Sequence, residues 1–113
     1  MITIRVTRQS NVSRIQSVEI SGHAESAPYG QDLVCAAVSA VAIGGINAVI
    51  ELCQLRLHVE QDDKAGGYLA VTVPAHEESE QHRKAQWLLE GMLSSLRTIE
   101  AQYGEYLVYK EQH

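Results

Sequence analysis

Asp32-Leu33-Val34-Cys35-Ala36-Ala37-Val38-Ser39-Ala40-Val41-Ala42-Ile43-Gly44-Gly45-Ile46-Asn47-Ala48-Val49-Ile50-Glu51 is the stretch on which the fold turns. Its 18 residues from 33 to 50 carry no charge, which reaches the lower length limit of a membrane span. Ten of the 18 are Ala, Gly, Ser, Asn or Cys, so the segment is only mildly apolar. Charged residues bound it tightly, and no Trp, Tyr, Lys or Arg anchors its ends. It is also too long for a strand. The spacing predicts a buried core helix, ending near Cys53.

Outward from this helix, the period changes. Towards the N-terminus, Ile2, Ile4 and Val6 alternate with Thr3, Arg5 and Thr7; Gln9-Ser10-Asn11 supplies a turn; Gln16, Val18 and Ile20 form a second alternating set. Residues 1 to 21 therefore read as a β-hairpin. The start lacks the continuous apolar run of a signal peptide. After the helix, Leu55, Leu57 and Val59 predict a third strand, the Gln61-Asp62-Asp63-Lys64-Ala65-Gly66-Gly67 stretch a turn, and Leu69, Val71 and Val73 a fourth strand stopped by Pro74. Residues 76 to 103 predict a second helix whose apolar face holds Leu88, Leu89, Met92, Leu93, Ser95, Leu96 and Ile99. Trp87 and tyrosines 103, 106 and 109 are expected to complete the core, and residues 106 to 109 to form a last short strand. The expected fold is α+β: a two-layer sandwich, a mostly antiparallel sheet with two helices on one face, in the order ββαββαβ. All 113 residues fit one domain.

Charge narrows the partners. Nine basic residues against 14 acidic give a net charge of −5. Such a chain is poorly suited to tracking a phosphate backbone and suits a basic partner instead. Two cysteines without an export signal are expected as reduced thiols in a cytoplasm. Cys53 lies 18 residues beyond Cys35 in the same helix, roughly 27 Å at 1.5 Å per residue, so the two can share neither a disulfide nor a metal. The other histidines (58, 76, 82 and 113) lack zinc-type spacing to either cysteine, and Glu77, Glu78 and Glu80 read as charge at a helix start. No glycine loop cradles a phosphate, so no metal or cofactor is expected. Ala36, Ala40, Gly44 and Ala48 form a stripe of small residues; tight internal packing and a subunit interface both account for it.

The irregular segment Gly22-His23-Ala24-Glu25-Ser26-Ala27-Pro28-Tyr29-Gly30-Gln31-Asp32-Leu33-Val34-Cys35 holds the reactive groups. With Asp32 as helix cap, Cys35 falls in the first turn, where unpaired N–H groups and the helix dipole favour a thiolate. The same N–H groups suit the oxyanion formed when a thiolate attacks a carbonyl. His23 lies across a loop that can fold it back to Cys35 as the proton carrier. A small buried cysteine and a turn histidine are the plain alternative. Asp32 is expected to organise the helix start, with a place as a third catalytic member left open. Ser39, one turn beyond Cys35, lines the site or simply packs. Gly22 and Gly30 bracket the loop as candidate hinges.

Gly22-His23-Ala24, Tyr29-Gly30 and Asp32-Leu33-Val34-Cys35-Ala36-Ala37-Val38-Ser39-Ala40 resemble the bacterial ribosomal-processing cysteine proteases, the Prp family. The likeness continues through Asn47, Gly66-Gly67, Met92-Leu93, Ser95-Leu96, Thr98-Ile99-Glu100 and Tyr103. It implies a homodimeric cysteine endopeptidase that removes the N-terminal extension of a large-subunit ribosomal protein, number twenty-seven. It implies cleavage after an aromatic and before a small residue, His23 and Cys35 as the catalytic pair, and a loop that moves when substrate binds. The expected partners are thus a basic ribosomal protein and a second copy, with no direct nucleic acid and no membrane. Two other classes remain open on the residues alone: a non-catalytic module binding a ribosomal protein or assembly factor, and a small-molecule thiol enzyme.

Overall fold

The computed structural model describes residues 1–22, 31–62, 64, 66–75 and 79–113. The elements follow the expected order: β1 (Ile2–Arg8), β2 (Ile15–Ser21), α1 (Gln31–Cys53), β3 (His58–Asp62), β4 (Tyr68–Thr72), α2 (Glu80–Tyr103) and β5 (Leu107–Gln112). The five strands form one sheet in the order β3-β4-β2-β1-β5. All neighbours are antiparallel except β1 and β5, which run parallel.

Alternation decides which face of the sheet is covered. Ile2, Ile4 and Val6 on β1, Val18 and Ile20 on β2, and Leu69 and Val71 on β4 are buried beneath the helices. From α1, Val34, Val38, Ala42 and Val49 meet them, and from α2, Ala85, Leu89, Leu93 and Leu96. Full burial of each such Leu contributes about 2 kcal/mol. The helices also pack on each other. A Cβ at Gly45 would stand 2.6 Å from the Met92 sulfur, so any larger residue there would force the Met92 side chain of α2 to move. Ser79 caps α2 by accepting the His82 N–H at 3.1 Å.

The expected pattern needs several corrections. Gln16 is exposed and Ile15 takes the buried position, because the pairing shifts between Thr7↔Ser17 and Arg8↔Ile15. Gln16 is the extra residue of that bulge. Leu55 and Leu57 are buried but precede β3, whose own side chains are all exposed at the sheet edge. Trp87 is 79% exposed and Tyr103 is exposed too; Tyr106 and Tyr109 alone of that group pack partly on the core. Ser95 faces solvent. Of the acidic helix-start set, Glu80 opens α2, whereas Glu77 and Glu78 lie outside the described residues. The small-residue stripe does not serve internal packing: Ala36, Ala40 and Gly44 are exposed. Apolar Leu33, Ile43, Ile50 and Leu52 share the exposed surface of α1. Among the described residues α1 is long and apolar enough to cross a membrane, and here its other face is packed inside the protein.

Candidate active site

Cys35 sits near the start of α1, 5% exposed, with Sγ 3.7 Å from the carbonyl oxygen of Gly22. The thiol therefore donates to backbone at the end of β2. Neither Cys35 nor Cys53 is in a disulfide. The helix begins at Gln31, so Asp32 lies within its first turn and is not the cap, and Cys35 is the fifth helical residue. An acidic side chain in that turn still complements the helix dipole. Cys35 thus lies one turn from the N-terminal, positive end of the α1 dipole.

Gly22 is what brings strand and helix together. Its φ is +82°, and a Cβ there would meet the Met1 carbonyl oxygen at 2.5 Å. Both facts exclude a side chain. Its N–H donates to the Gly67 carbonyl at 3.0 Å, and Gly67 in turn closes on Lys64 at 3.0 Å. Gly66 and Gly67 hold this turn at φ +84° and +92°. The Ile2 N–H bonds the Tyr106 carbonyl at 2.9 Å, pinning the start of β1 alongside. The Gly67 turn and the start of β1 thus meet Gly22 through backbone atoms, and α1 reaches it through the Cys35 thiol.

The remaining candidates divide clearly. Ser39 is half-buried one turn beyond Cys35 on α1, the position its spacing requires. His23 and Gly30 lie outside the described residues, as do His76 and residues 24 to 29. Cys53 is buried at the far end of α1. His58 is exposed and faces Glu60 at 3.2 Å. No group of three or more potential metal ligands occurs among the described residues.

Polar features that the sequence reading passed over lie at the other end of the sheet. Arg8, nearly buried, bonds both carboxylate oxygens of Glu90 at 2.5 and 2.9 Å, Glu111 at 2.8 Å and the Ser13 carbonyl at 3.0 Å. Hydrogen bonds from Arg8, then from Tyr109, hold the Glu111 carboxyl down at about 2. The Tyr109 hydroxyl is pushed up to about 12 by burial and by its bond to Glu111. The signal was present: Arg8 continues the inward parity of Ile2, Ile4 and Val6.

Comparison with known proteins agrees with this architecture. Residues 1–108 match the family described as cysteine protease Prp. A ribosomal processing cysteine protease Prp from Bacillus subtilis is 45% identical over 102 residues, 88% of each chain. The crystal structure of Staphylococcus aureus Prp with a substrate peptide superposes with a TM-score of 0.86 at 33% identity, covering 99% of this chain and all of that one. A second S. aureus Prp structure, with a covalently linked product peptide, gives 0.82 at 35% identity over 99% of this chain and all of that one. On sequence and on fold, this chain belongs to the ribosomal-processing cysteine protease Prp family.

Proposed function

We propose that this chain is a single-domain cysteine endopeptidase that removes the N-terminal extension of a large-subunit ribosomal protein, with Cys35 as nucleophile and His23 as general base and acid. The observation that carries this reading is the thiol at the start of α1, 3.7 Å from the carbonyl of Gly22. His23 is the next residue in the chain, and consecutive Cα atoms are about 3.8 Å apart. In the S. aureus relative, a covalently linked product peptide fits a nucleophilic route.

The steps follow from these groups. His23 takes the thiol proton, and the Cys35 sulfur attacks the scissile carbonyl carbon. First-turn N–H groups of α1 hold the resulting oxyanion. His23 returns the proton to the leaving amine as the C–N bond breaks. Water then hydrolyses the thioester, releasing the extension's carboxylate and restoring the thiol. No step calls for a metal or cofactor. Asp32 supports the helix start, Ser39 borders the site, and Gly22 and Gly30 bracket the loop that admits substrate. The net charge of −5 suits a basic ribosomal substrate in the cytoplasm. The exposed apolar surface of α1 suits a second copy, giving a homodimer.

Cleavage of a peptide spanning the extension tests the assignment. Cys35→Ala and His23→Ala are each expected to lose about a thousandfold or more in kcat/KM while circular dichroism is unchanged. Normal cleavage by Cys35→Ala ends the assignment. One observation favours a rival: a thiol only 5% exposed also suits a binding module in which Cys35 is structural. Alkylation separates the two, since a protease's Cys35 reacts faster than Cys53 and is protected by the peptide, whereas a structural thiol shows neither behaviour.

A further inference from the structure

At the end of the sheet away from Cys35, two cavities of about 460 and 580 Å³ adjoin, with Arg14 and His82 lining both. One wall is the first turns of α2, with Arg83, Gln86 and Trp87; the other is the β1–β2 turn and the sheet end at Val73 and Pro74. The groove borders the first residue of β2, Ile15, whereas Cys35 touches Gly22 just past the last, Ser21. Six strand steps of about 3.3 Å put the two places roughly 20 Å apart.

The walls are fixed in advance. The Gln86 side-chain amide bonds both the N–H and the carbonyl of Ile15 at 2.9 Å, and Arg8 grips the Ser13 carbonyl while paired with Glu90. A preformed groove avoids the ordering cost of binding. Its chemistry is distinctive on an acidic protein. The guanidiniums of Arg14 and Arg83 make no ion pair with a described residue. Trp87 stands 79% exposed at the rim, leaving in water most of a side chain that buries roughly 150–250 Å² in a core. Tryptophan and arginine are the residues that dominate binding energy at protein interfaces.

We infer that this groove binds an acidic, extended segment of a partner protein, its carboxylates on Arg14 and Arg83 and an apolar side chain against Trp87. Two adjoining cavities match an extended chain better than a single nucleotide; the one carboxylate among the described lining residues, Glu90, is paired with Arg8, which leaves the Arg14 and Arg83 guanidiniums to match carboxylates. A basic substrate entering at Cys35 has the wrong sign for this groove, so the two ends of the sheet take different partners.

Trp87 is the only tryptophan in the chain, so intrinsic fluorescence reports on the groove directly. The test titrates the full chain with an acetylated octapeptide alternating glutamate and leucine, with a lysine–leucine octapeptide and a single-stranded RNA octamer as comparisons. The glutamate peptide is expected to give a saturable change in emission that weakens as salt is raised. Arg14→Ala and Arg83→Ala should each raise its Kd about fivefold or more, with cleavage at Cys35 unaltered. No saturable response up to millimolar peptide, or an equal response to the lysine peptide, overturns the inference. Tighter binding of the RNA overturns it as well, by assigning the groove to nucleic acid.

Discussion

The two ends of the five-stranded sheet are held together by different kinds of atom. Where β2 meets α1, the bonds are backbone to backbone: Gly22 to Gly67, Ile2 to Tyr106, with the Cys35 thiol on the Gly22 carbonyl. At the opposite end the bonds are made by long polar side chains: Arg8 to Glu90 and Glu111, Gln86 to Ile15. Backbone scaffolding places the thiol closely but has no room for an added methyl group. Side-chain scaffolding tolerates small shifts and depends on charge state. The end proposed for chemistry is thus sterically fragile, and the other end is electrostatically fragile.

The sharpest way to break the first end is Gly22→Ala. The left-handed backbone alone costs about 1–2 kcal/mol for a non-glycine residue. The new Cβ, 2.5 Å from the Met1 oxygen, also forces strand and thiol apart. Misplacement of about 1 Å is worth roughly a hundredfold in rate. Peptide cleavage by the folded fraction is expected to fall by that factor, measured beside a urea titration. Retained cleavage would show that Gly22 does not position the thiol.

The other end breaks through stability instead. Arg8→Met leaves Glu90 without its cation and Glu111 with only the longer contact to Arg97 at 3.7 Å, and urea unfolding is expected to show a loss of about 3 kcal/mol. The folded variant should cleave peptide within about twofold of the parent, because mutations this far from the site act independently. A rate loss matching that of Gly22→Ala would erase the distinction between the ends.

Acid gives the mildest probe. Arg8 and Tyr109 hold the folded Glu111 carboxyl at about 2, below its ordinary 4.5. A carboxyl depressed on folding stabilises fully above its unfolded value, and that contribution fades as pH falls through the folded one. The urea midpoint should therefore decline from pH 4.5 towards pH 2, and decline less in Arg8→Met. Equal slopes would remove Glu111 from the account.

Period carried most of the architecture into view. Strand alternation and the long uncharged run gave the element order and the covered face of the sheet, because burial is a local consequence of side-chain direction. The departures have identifiable causes. The bulge at Gln16 reverses parity within a strand, and no residue type announces it. Trp87 lies off the 85–89–92–96 line of α2, so its phase already placed it outside the core despite its size. Asp32 looked like a cap because it begins the uncharged run, yet the helix takes in Gln31. For the site, the seat of Cys35 at a helix start was legible from its spacing. Its contact with Gly22, and Gly22's with Gly67, were not, since they depend on strand order. His23 and Gly30 lie outside the described residues.

The parallel pairing of β1 with β5 has a consequence for how the chain is made. β1 leaves the ribosome before the other strands of the sheet, yet its β5 partner follows about a hundred residues later, as Arg8 and Glu111 show at a separation of 103. Until then β1 presents an open edge, and contacts so distant in sequence form slowly. The sheet can therefore be completed only when synthesis has passed β5, and a nascent or truncated chain short of that strand would carry an adhesive edge beside its apolar face.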